Sequence, residues 1–122
     1  LEIYGNDFNT IDGTGVRDYL HVEDLIKGHI HAMNYIKENN GYNVWNLGSG
    51  KGYSVLEIIN AFETELNYNL PISFKQRRLG DVDEYWADIT KAKRELSWDI
   101  EKDLNCIVED TLRYIKYLDI NN

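Results

Sequence analysis

Arg17 and Arg78 are the residues of this chain whose type and setting best suit phosphate chemistry. Arg17 follows the flexible stretch DGTG (12–15), and Arg78 stands in RRLGD (77–81), two residues before Gly80. A guanidinium is a planar fork that matches phosphate oxygens and stays charged at any working pH. Each charge-assisted hydrogen bond contributes about 1.5–3 kcal/mol, so two arginines on one diphosphate would make an anchor. Asp81, three residues after Arg78, has the right chemistry for ribose hydroxyls, and Tyr4 offers a flat face to a base. Taken singly, each arginine is more often a surface ion pair. Arg17 has Asp18 and Glu23 close by, and an exposed bridge contributes about 0–1 kcal/mol. Spacing alone leaves both readings open.

A second candidate is NLGSGKG (46–52), where Gly48, Gly50 and Gly52 follow an apolar stretch and precede a helix-like one. The dinucleotide fingerprint is G-x-G-x-x-G, with an acid about 20 residues on. Here the spacing is G-x-G-x-G, and Tyr68, Asn69 and Leu70 stand where the acid belongs. The simpler expectation is a tight turn, with Ser54 capping the helix that follows. A helix N-terminus attracts anions, so a peripheral ligand role stays open.

The remaining reactive residues read as structural. His29 and His31 are two apart on a helix and point in different directions, and with His21 they make too few ligands for zinc. Trp45, Trp86 and Trp98 are expected in the core or at an interface. Tyr114 and Tyr117 are expected to cover an edge of the core. Cys106 reads as a small buried residue and not a nucleophile.

These residues need elements to position them. LEIY (1–4) reads as a strand, GNDFNTIDGTG (5–15) as turns, and VRDYLHV (16–22) as extended chain. Val22, Leu25, Ile26, His29, Met33 and Ile36 recur at helical spacing up to a stop at NNG (39–41). YNVWNL (42–47) is a strand candidate. SVLEIINAFETEL (54–66) is the clearest helix, with Ser54 and Glu57 at capping-box spacing and Val55, Ile58, Ile59, Phe62 and Leu66 as its stripe. LPISF (70–74) reads as a strand and QRRLGDVDEYWAD (76–88) as a loop. Asp88 caps a helix through about Leu96, and a last helix carries Leu104, Ile107, Val108, Leu112, Ile115 and Leu118. Strands alternating with helices predict an α/β fold without an internal boundary.

Composition excludes several classes. The 122 residues make one domain, and a net charge of −8 disfavours nucleic acid or an anionic membrane as main partner. No apolar run approaches the ~20 residues of a membrane span. A single cysteine allows no internal disulfide and fits a reducing, cytoplasmic setting. The chain opens at Leu1 inside an apparent strand, which reads as a piece of something larger.

DGTGVRDYLHVEDL, WNLGSGKGYSVLEIINAF, RRLGDVDEYWADITKAKRELSW and EDTLRY, in that order, resemble the C-terminal third of the UDP-glucose 4-epimerase family. These are extended short-chain dehydrogenases. The resemblance implies that residues 1–122 are a small UDP-sugar-binding lobe of short strands and about four helices, without the Rossmann domain. It implies that Arg17 and Arg78 bind the diphosphate of a UDP-hexose and that Asp81 holds the uridine ribose. Tyr4 then packs by the uracil beside the backbone of residues 1–3, and Val55 lines the pocket. Tyr85 stands beside the sugar, where a bulky residue goes with plain hexoses. Leu79 departs from the usual Glu or Ala, and Glu2 from small or apolar residues.

The family reaction moves hydride from sugar C4 to NAD and returns it to the other face of a 4-keto intermediate. Its base is the tyrosine of a Tyr-x-x-x-Lys motif, and none of the nine tyrosines here has lysine four residues on. The resemblance therefore places NAD and catalysis in an upstream Rossmann domain, with a homodimeric whole enzyme and an inactive isolated lobe. The alternatives are the lobe of another nucleotide-sugar dehydratase or decarboxylase, and a non-catalytic UDP-binding module.

Overall fold

The structure, a computed structural model, describes residues 1–121. The first strand, β1 (Glu2–Tyr4), ends at a turn-rich loop that leads into β2 (Val16–Asp18). Helix α1 (Val22–Glu38) follows, then β3 (Gly52–Ser54) runs directly into α2 (Val55–Leu66). After β4 (Ser73–Lys75) and β5 (Glu84–Tyr85), α3 (Thr90–Leu96) and α4 (Leu104–Asn121) complete the described chain. The α/β class and the four helices agree with the sequence reading.

Two small sheets carry the strands. β1 pairs in parallel with β4, Tyr4 opposite Lys75. In the other sheet β2 is central, antiparallel to β3 and parallel to β5, with Arg17 opposite both Tyr53 and Tyr85. Helix α2 begins where the local code says it should. The Ser54 side chain accepts from Glu57 N–H, and the Glu57 carboxylate accepts from Ser54 N–H, a complete capping box. Buried Ile59 on α2 and Val108 on α4 belong to the seam where these two helices pack.

The main core lies between α1 and α3. Ile89, Ala92, Leu96 and Trp98 form its centre, with Leu20, Ala32, Tyr35, Trp45 and Leu47 packed around them. Trp98 follows Ser97, whose φ of 52° ends α3 in the left-handed region. Its indole N–H donates to the Asp24 carbonyl at 2.9 Å. Trp45 meets Tyr35 edge-on, and its N–H bonds the Glu95 carboxylate at 2.9 Å.

Several expectations need correction. The apolar stripe of α1 is not its buried face. Val22, Ile26, Met33 and Ile36 are each more than half exposed, whereas Asp24 and Gly28 are buried. Periodicity finds a helix's faces but not which one the chain itself covers. Residues 42–47 form no strand and have no ladder partner among the described residues, because a strand exists only where another chain segment hydrogen-bonds to it. The 76–88 loop contains the two-residue β5. Tyr114 and Tyr117 are both exposed on the distal half of α4, and Trp86 is nearly half exposed. His29 and His31 each bond a carbonyl, of Leu25 and Leu96. Buried His21 caps α1, accepting from Glu23 N–H at Nδ1 and donating from Nε2 to Asp110 at 3.0 Å.

Candidate functional site

The two sheets lie either side of a cleft of about 250 Å³. Tyr4, Arg17, Val55, Arg78 and Asp81 all line it, together with Glu2, Ile3, Phe8 and Gly15. Five of the six residues singled out from sequence therefore converge, although nearly 80 positions separate the first from the last. Tyr85 stands apart. It is exposed on β5 beside Arg17 and lines a neighbouring hollow of about 530 Å³ with Asp18, Leu20, Trp45 and Trp86.

Charge makes the cleft distinctive. Of the five arginines in the sequence, Arg77, Arg94 and Arg113 form ion pairs with carboxylates. Arg17 and Arg78 meet none among the described residues. Arg17 Nη1 donates to two carbonyls, of Val16 at 2.7 Å and Asp83 at 3.4 Å. The Arg78 guanidinium lies over the Tyr4 ring, 4.1 Å from its centroid. Two guanidinium groups without a direct carboxylate contact, facing one small cleft, suit an anion even in a chain of net charge −8. Gly15 makes room for the first of them. A Cβ there would stand 3.1 Å from Arg17 Nη1. Glu2, the departure noted above, pairs with Lys75 at 3.2 Å and accepts from the Tyr4 hydroxyl at 3.1 Å.

The wall that Val55 belongs to is fixed by Asp12. Its carboxylate accepts from Thr14 N–H (2.8 Å), from the Thr14 hydroxyl (2.7 Å) and from the buried Ser54 hydroxyl. Burial pushes the Asp12 carboxyl up, but the bonds from Ser54 and Thr14 outweigh it and hold the group below its ordinary value. The sign follows. A depressed carboxylate contributes stability that is full above its unfolded value of about 3.9 and lost as pH falls through the lower folded value. Asp12→Asn is expected to melt below the parent at pH 6, and the gap is expected to narrow below about pH 4. Thermal melts of both chains from pH 6 to pH 2 check it; a gap constant over that range contradicts the assignment.

The same residues decide what the glycine loop does. The first three amides of α2 are already bonded. Val55 N–H donates to the Gly15 carbonyl (3.2 Å), Leu56 N–H to the Thr14 hydroxyl (3.4 Å) and Glu57 N–H to the Ser54 hydroxyl (3.0 Å). Their donors are spent on the protein itself, which leaves no phosphate cradle there. Gly48 is pressed against Asp18, where a Cβ would lie 2.2 Å from Oδ2. That carboxylate accepts from Ser49 N–H (2.7 Å), the Ser49 hydroxyl (2.6 Å) and Ala87 N–H (3.0 Å). The loop is a packing device that fastens residues 48–52 to β2 and to the chain after β5. These residues do not fit a dinucleotide, and NAD gains no site from them.

The sequence model of the GDP-mannose 4,6 dehydratase family matches residues 3–111. The chain belongs to that family. This member of the GDP-mannose 4,6 dehydratase family is 46% identical to a UDP-glucose 4-epimerase of Bacillus subtilis over 93% of its own length, and 45% identical to the human UDP-glucose 4-epimerase over 95%. It spans about a third of the length of each, 34% and 33%. A crystal structure of the Stenotrophomonas maltophila UDP-glucose 4-epimerase, with bound NAD and formylated UDP-arabinopyranose, superposes with a TM-score of 0.95 at 37% identity. That match covers all of this family member and 36% of the crystallised chain. The Bifidobacterium longum UDP-glucose 4-epimerase, in complex with NAD+ and UDP, gives a TM-score of 0.83 at 46% identity, covering 88% and 32%. Among the described residues no helix is long and apolar enough to cross a membrane.

Sequence reasoning missed Phe8, Gly15 and Arg77. Phe8 is 5% exposed while nearby Ile11 is 94% exposed, and nothing in the turn-rich segment separates them. Gly15, directly before the buried Val16, carried a signal in its position.

Proposed function

We propose that this chain is the UDP-sugar-binding lobe of a UDP-glucose 4-epimerase. The observation that carries the reading is the convergence of Arg17 and Arg78, both without a carboxylate partner among the described residues, on a cleft that also holds Tyr4 and Asp81. In this reading the two guanidinium groups hold the diphosphate and Asp81 accepts from the ribose hydroxyls. Tyr4 packs beside the uracil, and Val55 closes the wall opposite. Tyr85, next to Arg17 across β2 and β5, faces the hexose.

Binding and orientation are the whole contribution of these residues. NAD, when bound to the whole enzyme, supplies hydride acceptance and return. The chain holds no Tyr-x-x-x-Lys, so the proton-transfer base belongs to an N-terminal Rossmann domain. The exposed apolar stripe of α1 and the unpaired segment 42–47 support docking onto such a domain. An extended segment gains ladder bonds on a sheet edge, and Val22, Ile26, Met33 and Ile36 gain cover. The reading includes a cytoplasmic, homodimeric whole enzyme that interconverts UDP-glucose and UDP-galactose.

Titration of the chain with UDP, followed by heteronuclear NMR, tests the site. Saturable shifts are expected at Tyr4, Arg17, Arg78 and Asp81. Arg17→Ala and Arg78→Ala are each expected to weaken UDP by at least about tenfold, the loss of one charge-assisted contact. A dispersed spectrum without UDP response contradicts the reading. Product analysis with the whole protein then separates 4-epimerisation from dehydration or decarboxylation.

A further inference from the structure

We infer that Arg77 is a positioning residue for the nucleotide cleft, a cross-brace that never touches the ligand. The inference rests on the UDP-site reading above. Arg77 is absent from the cleft lining and lines, with Arg78 and Asp81, a second hollow beside the RRLGD turn. Its guanidinium makes three contacts at once. Its Cζ lies over the Phe8 ring, 4.0 Å from the centroid. Nη2 donates to the Asp81 carbonyl at 2.6 Å and pairs with the Asp83 carboxylate at 3.0 Å.

Those partners sit on different pieces of the site. Phe8 belongs to loop 5–15, which joins β1 to β2, and its ring is part of the cleft wall. Asp81 is the proposed ribose partner, and Arg78 is its neighbour in the same turn. Asp83 leads into β5, and its carbonyl accepts from Val16 N–H at 2.9 Å and from Arg17 Nη1 at 3.4 Å. One side chain therefore links the backbone carrying Arg78 and Asp81 to the backbone carrying Arg17. It fixes how far apart the two phosphate-binding groups stand. Only a planar cation does this. A lysine ammonium can keep the charge near Asp83, but as a compact point charge it lacks the spread guanidinium face that covers Phe8 while Nη2 reaches Asp81 and Asp83.

The test compares the parent chain with Arg77→Ala and Arg77→Lys. UDP affinity is read by titration, folding by thermal melting, and turn geometry by the Arg78 side-chain resonances, which the Tyr4 ring current shifts in the stacked arrangement. Arg77→Ala is expected to remain folded, to weaken UDP about tenfold and to lose the ring-current shift at Arg78. Arg77→Lys is expected to regain melting temperature but not affinity. A folded Arg77→Ala that binds UDP like the parent overturns the inference, and so does full recovery of affinity by lysine. If the parent itself ignores UDP, the functional reading fails, and the Arg78 resonances alone decide. Their movement in Arg77→Ala upholds the brace, and their constancy removes it.

Discussion

Trp98→Ala is expected to cost about 3–5 kcal/mol, the usual range for deleting a large buried aromatic. A domain of this size has about 5–15 kcal/mol in total, so the variant sits near the edge of folding. The reason is local and specific. Trp98 is 2% exposed, fills the centre of the α1–α3 core and donates to the Asp24 carbonyl at 2.9 Å. Truncation leaves a cavity and removes the indole donor from a carbonyl that the α1 ladder still bonds. Trp98→Phe separates the two, retaining most of the packing while losing the donor, at about 1 kcal/mol for the hydrogen bond and more for the lost ring. Urea unfolding followed by far-UV circular dichroism measures both. A Trp98→Ala midpoint close to the parent's would show that the core is centred elsewhere.

Asp24→Ala is expected to cost about 3 kcal/mol or more. The residue is fully buried in the first turn of α1, and its Oδ2 accepts from Glu101 N–H at 3.1 Å and Lys102 N–H at 2.9 Å. Two charge-assisted bonds at about 1.5–3 kcal/mol each are lost together, and the loop joining α3 to α4 loses its tether. Asp24→Asn keeps an acceptor for those amides but places an NH2 where Oδ1 has no hydrogen-bond partner among the described residues. It is expected to fall between parent and Ala. Because Asp24 and Trp98 touch, the double variant should cost less than the sum of the singles. Strict additivity in a urea double-mutant cycle would contradict the proposed coupling.

How much of this was readable beforehand depends on the range over which each feature is encoded. Helix α2 was legible to its first residue because the Ser54–Glu57 box is a contact three residues long. The extent of α1 was legible for the same reason, but its inward face was not. Asp24 and Gly28 are buried, while the more apolar Ile26 and Met33 remain exposed. Segment 42–47 has strand composition without a partner, and pairing is not a property of six residues. The residue types at the cleft were legible, since arginines flanked by glycine stand out in an acidic chain. Their meeting was not. It depends on the parallel pairing of Tyr4 with Lys75 and of Arg17 with Tyr85, contacts about 70 positions apart. Arg77 escaped notice because its neighbour carries the same charge, and only geometry separates the one that lines the cleft from the one that packs on Phe8 and Asp83.

The division of the strands into two sheets has a mechanical consequence. Among the described residues no ladder bond joins β1–β4 to β3–β2–β5, so chain connections and side chains bridge the seam between them. Tyr4 sits on one bank and Arg17 on the other. The width of that seam is therefore set by side-chain contacts such as those of Arg77 with Phe8 and Asp83, and not by a continuous sheet. A molecule with a flat group at one end and paired negative charges further along would span that gap like a rivet. Occupancy would then stiffen the lobe along one axis while leaving α3 and the Trp98 core as rigid as before.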